Sequence, residues 1–169
     1  GGAYVRATAI SDAQATISVT AEVQNDTGIA VAVKHELLLI DPDGREVGRT
    51  VTATSEIASG RTRALLAEIA LPRPRRWDIS DPALYRAAIR VLAADGTVLD
   101  NEEVRFGIRE ARFDPATGFW LNGRNFKLKG VALHHDGGAV GAAVLLAVWR
   151  QRLTTLKAQG VNAIRTAHN

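Results

Sequence analysis

Three of the four histidines in this 169-residue chain stand in two short clusters near its C-terminal end. The first cluster is His134-His135-Asp136, and the second is Arg165-Thr166-Ala167-His168-Asn169. Imidazole, guanidinium, carboxylate and amide groups are the side chains that grip hydroxylated or anionic ligands and hold protons. Each cluster closes a short apolar run, residues 131–134 and 161–164, that reads as a buried strand. Between them residues 142–158 turn helical. Val144, Ala147 or Val148, Leu153, Leu156 and Lys157 recur at spacings of three and four, and Gly160 is a stop signal. Strand, helix and strand in this order predict a right-handed parallel crossover, the opening unit of an eight-unit α/β barrel. In such barrels the chemistry collects at the C-terminal ends of the strands, where His134, Arg165, His168 and Asn169 fall.

Several chemistries are disfavoured by what is missing. Adjacent residues of a strand point to opposite faces, so His134 and His135 cannot easily share an ion, and no metal or other cofactor is expected. There is no Gly-x-Ser-x-Gly elbow for a serine nucleophile, and no Gly-x-Gly-x-x-Gly or Walker pattern for a nucleotide. Glycoside hydrolysis by paired carboxylates needs two Asp or Glu residues. Residues 115–169 hold no Glu and a single Asp, Asp136.

Upstream of the clusters, residues 1–107 read as strands and turns. Ile17, Val19, Ala21 and Val23 alternate with polar residues, the period of a half-buried strand. A longer apolar run over 29–40 ends at Asp41-Pro42-Asp43-Gly44. Residues 47–57, 62–71, 84–93 and 98–106 supply further strand patterns separated by turn signals. Such spacing predicts an antiparallel sandwich of about seven strands. Trp77, in a loop bounded by prolines, reads as a core plug, and His35 as an ordinary strand residue. After Gly107 the run Phe119-Trp120-Leu121, Asn122-Gly123, Phe126 predicts a tight hairpin, because Asn-Gly suits a type I′ turn.

Hydrophobic content of 46% with 23% charged residues is that of a folded globular chain. The net charge of +3 is spread out, and the densest basic spot, Pro72-Arg73-Pro74-Arg75-Arg76, reads as a solvated loop, so nucleic acid is not expected as a partner. No apolar run approaches the roughly 18–20 residues that span a bilayer, and no membrane partner is expected. With no cysteine there is no disulfide, and the compartment stays open. The chain opens Gly-Gly and has no Met, which reads as an internal cut.

These residues also carry a family resemblance. Trp77, Asp81-Pro82, Leu84-Tyr85, Val104-Arg105-Phe106-Gly107-Ile108-Arg109, Leu121-Asn122-Gly123 and Leu128-Lys129-Gly130-Val131 follow one another in an order that resembles glycoside hydrolase family 2. The match continues through His134-His135-Asp136, Gly141, Leu156-Lys157, Gly160-Val161-Asn162-Ala163-Ile164-Arg165 and His168-Asn169, in forms most similar to bacterial β-galactosidases. The resemblance implies an all-β immunoglobulin-like sandwich over residues 1–107, followed by the first β-α-β portion of a TIM (β/α)8 barrel over 108–169. It implies that His134, Arg165, His168 and Asn169 line the subsite of the sugar whose bond is cleaved. The Arg would support a nucleophilic carboxylate, and the His residues would contact hydroxyls. It further implies retaining hydrolysis of terminal β-galactosides by two Glu residues of later strands, with this chain alone inactive. A carbohydrate is then the partner, and a homo-oligomer is compatible with the layout. The competing expectation is a non-catalytic β-sandwich module that binds carbohydrate or a protein. One departure concerns residues 143–149, apolar nearly all round where the family is usually polar.

Overall fold

Alternation along two long strands builds the first layer. The computed structural model describes residues 2–167. In β2 (Gln14–Gln24), Ala15, Ile17, Val19 and Ala21 are buried, while the hydroxyl residues between them face outward. β6 (Thr62–Pro72) runs antiparallel to β2 along its full length, burying Leu65, Ala67, Ile69 and Leu71 on the same side. β1 (Ala3–Thr8) borders the other side of β2, completing a three-stranded sheet.

The second layer is a five-stranded antiparallel sheet centred on β3 (Val31–Ile40). β4 (Glu46–Val51) and β5 (Ser55–Ile57) flank one edge of β3. β7 (Tyr85–Ala93) flanks the other, bordered in turn by β8 (Val98–Phe106). The inner faces of the two sheets meet in a main apolar core containing Ile17, Val19, Leu37, Leu39, Leu71 and Ile89, and in a smaller cluster of Val33, Ile57, Leu65 and Val91. The sandwich therefore has eight strands among the described residues rather than about seven. The pattern over 47–57 splits into β4 and β5, and β1 carries no alternation strong enough to announce it.

β3 shows why its run reads as continuously apolar. Its inward residues Val33, Leu37 and Leu39 are buried, but outward-facing Glu36 and Leu38 are covered as well. Arg49 of β4 and Arg90 of β7 reach across to the Glu36 carboxylate, each at 3.2 Å. A carboxylate so enclosed needs those hydrogen bonds to offset its lost hydration. At the end of β3, the Asp41 carboxylate accepts the N–H groups of Asp43 and Arg45, and Gly44 takes φ 86 to close the turn.

The chain divides into two compact units, residues 1–110 and 111–169. In the second, β9 (Ala111–Asp114), β10 (Gly118–Leu121) and β11 (Arg124–Phe126) form a small antiparallel sheet. Asn122 and Gly123 have φ 51 and 78, the paired positive torsions of a type I′ turn. β12 (Gly130–Leu133) and β13 (Ala163–Thr166) are hydrogen-bonded in parallel, with α1 (Leu146–Ala158) between them in sequence. The helix starts later than its sequence pattern. Residues 142–145 are a turn and irregular chain after a short 3-10 turn at 138–140, and Leu145 at the N-cap offers no side-chain acceptor for the first free N–H groups. Its end follows the glycine rule. Gly160 (φ 85) donates to Lys157 O at 3.0 Å and Val161 donates to Leu156 O at 3.1 Å, the two bonds of a Schellman cap. Because Val161 is used in that cap, the second strand begins at Ala163 rather than at 161.

Candidate functional site

The parallel ladder fixes which side chains can meet. Its partners are Gly130↔Ala163, Val131↔Ile164, Ala132↔Arg165 and Leu133↔Thr166. Paired residues of a ladder share a face, so Arg165 lies on the Ala132 face, away from half-buried Val131 and Leu133. The ladder runs one bond past the strands, with Ala167 N–H donating to Leu133 O at 3.0 Å. His134 follows directly on Leu133, the last residue of β12, and so leaves the ladder at this same end. The first-strand His and the second-strand Arg are thus brought to one end of two adjacent strands. His134 and Arg165 are both exposed, and among the described residues no ion pair involves Arg165. His168 and Asn169, the other two candidates, lie outside the described residues.

The start of the ladder is held by a side chain that pattern reading had assigned no task. Asn162 Oδ1 accepts the Lys129 N–H at 2.8 Å, its Nδ2 donates to Lys127 O at 3.1 Å, and its own N–H donates to Lys129 O at 3.0 Å. The amide thereby stands in for one more peptide of the ladder. Asn162→Ala is expected to cost about 1–2 kcal/mol of local stability, read as faster hydrogen exchange at Lys129. Unchanged exchange there would show the clamp to be dispensable.

Asp136 is engaged by its own loop. Its Oδ1 accepts the Gly138 N–H at 2.6 Å, and its carbonyl accepts Arg152 Nη1 at 3.1 Å. The loop then closes on itself through Gly137 N–H to Gly141 O at 2.7 Å. A Cβ at Gly137 would lie 2.8 Å from Gly141 O and 2.5 Å from Val144 Cγ2, which explains the glycine. Among the described residues no three of His, Cys, Asp and Glu are grouped so as to hold a metal ion.

The sandwich offers less. Trp77 donates its N–H to Ile108 O, packs its side chain on Gly107 and is covered by the Arg109 guanidinium 5.0 Å from its ring centre. The basic loop is tied down by a two-point bond from Arg75 to Asp81 at 2.8 and 2.9 Å. That hydrogen bonding holds the exposed Asp81 carboxyl below its ordinary value. A cleft of about 550 Å³ opens between the sheets beside Val23, Val33, Val91 and Leu99, but no aromatic ring lines it for a sugar to stack on.

The model of glycosyl hydrolases family 2 matches residues 2–109, and that of the family's TIM barrel domain matches residues 115–169. This chain belongs to glycosyl hydrolases family 2. Its sandwich is accordingly the family's immunoglobulin-like domain, and β12, α1 and β13 are the start of the barrel. A putative beta-glucuronidase of Formosa agariphila is 34% identical over 167 residues, which is 98% of this chain and 15% of that protein. A beta-galactosidase of Bacteroides ovatus is 33% identical over 168 residues, 99% of this chain and 20% of that protein. The crystal structure of a family 2 member from Bacteroides cellulosilyticus superimposes with a TM-score of 0.92 at 30% identity. That superposition covers 99% of this chain and 23% of the other. The family 2 chain described here thus spans about a fifth of the length of such relatives.

Proposed function

We propose that these residues serve a retaining glycoside hydrolase acting on terminal β-galactosides, with the sandwich as a supporting domain and β12 and β13 as the first two strands of the catalytic barrel. The observation that carries the reading is the parallel register that puts Arg165 and His134 at one strand end, within a family whose members cleave glycosidic bonds. In the double-displacement scheme one carboxyl protonates the leaving oxygen and a second forms the glycosyl-enzyme. Arg165 is suited to holding that second group as a carboxylate, since a neighbouring cation lowers a carboxyl pKa. His134 and His168 supply imidazole donors and acceptors for sugar hydroxyls, and Asn169 supplies an amide. On this reading both catalytic acids belong to other segments, because residues 115–169 hold no Glu and only one Asp, too few for the pair. The purified 169-residue chain is therefore expected to give no turnover of 4-nitrophenyl β-galactoside above the uncatalysed rate. Measurable turnover would overturn the assignment of the acids to other segments.

A second substrate, a β-glucuronide, is favoured by one observation: relatives over the full chain include proteins named beta-glucuronidase. A sugar carboxylate would also suit an exposed guanidinium without an ion pair among the described residues. Titrating galactose and glucuronate separately while following the Arg165 and His134 NMR signals distinguishes the two, since the preferred sugar shifts them at lower concentration.

A further inference from the structure

His134 and His135 are suspended between two fixed carbonyls. Upstream, Leu133 O accepts the Ala167 N–H of β13 at 3.0 Å. Downstream, Asp136 O accepts Nη1 of Arg152, in the middle of α1, at 3.1 Å. Only two residues separate the anchors, so few backbone torsions remain free where the imidazoles are attached. The upstream anchor is an ordinary ladder bond. The downstream one is a charged side chain, which makes the stronger class of hydrogen bond.

Arg152 is itself preorganised. Its guanidinium lies 5.4 Å from the ring centre of Trp149, three residues earlier on the same helix face, and both side chains are half-buried. Stacking of this kind removes rotamer freedom that a lysine would keep. The Asp136 carboxylate, engaged by Gly138 N–H, forms no ion pair with Arg152. The guanidinium therefore grips the main chain, whose position sets the direction of the preceding side chains.

The geometry points to Arg152 as the positioning residue for His134. By fixing the backbone beyond the histidine pair, it limits where the His134 imidazole can point at the strand end beside Arg165. Its functional meaning rests on the reading of His134 as a sugar-contacting residue; its structural content does not.

The test uses the isotopically labelled 169-residue chain. In Arg152→Gln, amide exchange over residues 135–138 is expected to accelerate about tenfold, the equivalent of one lost charged hydrogen bond. The His134 ring signals should broaden, while the amides of residues 154–158 keep their protection. Arg152→Lys restores a cationic donor without the planar stack and should recover part of the loss. Unchanged loop exchange and His134 signals in Arg152→Gln, with the helix intact, would overturn the proposal. Should Arg152→Gln melt the helix, Trp149→Leu keeps the guanidinium without its aromatic support. It should loosen the same amides less, and no loosening there would equally overturn the proposal. Titration of wild type with galactose, followed at the His134 ring, tests the sugar reading separately. A silent His134 in a well-ordered loop would refute the sugar role while leaving Arg152 as the loop's anchor.

Discussion

Acidification from pH 7 to pH 5 is expected to weaken the sandwich, and His35→Leu to abolish that dependence while raising stability at neutral pH by about 1–3 kcal/mol. His35 is 0% exposed on the inner face of β3. Its backbone is satisfied, with N–H donating to Thr52 Oγ1 at 3.0 Å and its carbonyl accepting the Thr52 N–H at 2.9 Å. Neither ring nitrogen meets a partner of acceptable hydrogen-bond geometry. Burial pushes the imidazole below its ordinary value of 6.5, outweighing the opposing effect of the Leu65 backbone. The sign follows from which state binds the proton. Between the lowered folded value and 6.5, the unfolded chain is protonated and the folded one is not. Stability conferred by the neutral ring is complete above 6.5 and falls as pH drops toward the folded value, by at most about 1.4 kcal/mol per pH unit. No other histidine occurs in residues 1–110, so in this unit the imidazole contribution belongs to His35 alone. Urea denaturation followed at amides of β3 and β7 measures it. A wild-type midpoint that is flat between pH 7 and pH 5 would refute the assignment, as would an equal slope in His35→Leu.

His35 also marks where pattern reading stops. A histidine at an inward position of an alternating strand is legible as part of the strand, and β3 forms where its apolar run lies. That its ring makes no well-formed hydrogen bond depends on what β6 places beside it, which no local period records. The same divide runs through the rest of the chain. The inward faces of β2 and β6, the Asn122-Gly123 turn and the Gly160 cap follow from residues adjacent in sequence, because propensity and torsion are local. β1 and β9 were not legible, since edge strands with exposed residues such as Phe113 lack a clear alternation. At the candidate site the two strand ends were foreseeable from a strand-helix-strand pattern, but the face of Arg165 was not, because it lies within β13 and its ladder partner Ala132 sets it. The bonds from Arg152 to Asp136 O and from Asn162 to Lys127 O were not, because they join a side chain to a main-chain carbonyl across 16 and 35 residues. Such bonds leave no periodic trace.

Leu39→Ala is expected to cost about 2–5 kcal/mol in the first unit, whereas Leu146→Ala or Ile164→Ala in the second should each change stability by no more than about 0.5 kcal/mol. Leu39 is 0% exposed near the C-terminal end of the central strand and belongs to the core shared by both sheets. Removing its branched end leaves a cavity that two hydrogen-bonded sheets cannot collapse to fill. Leu146 and Ile164 are 63% and 42% exposed, so truncation gives up little transfer energy. Among the described residues, only Leu121 and Ala167 of the second unit are buried apolar groups. An α/β barrel buries its strands and helices through their neighbours on both sides, and a single strand-helix-strand turn cannot do this alone. The apolar start of α1 is therefore a surface of Leu145 and Leu146 rather than a core. Denaturation curves resolved by unit, with amides of β3 reporting on one and amides of β12 on the other, would display the contrast. A loss in Ile164→Ala as large as in Leu39→Ala would show that the barrel segment carries a core of its own. The strand end of His134 and Arg165 would then be preorganised by packing rather than by the Asn162 and Arg152 hydrogen bonds.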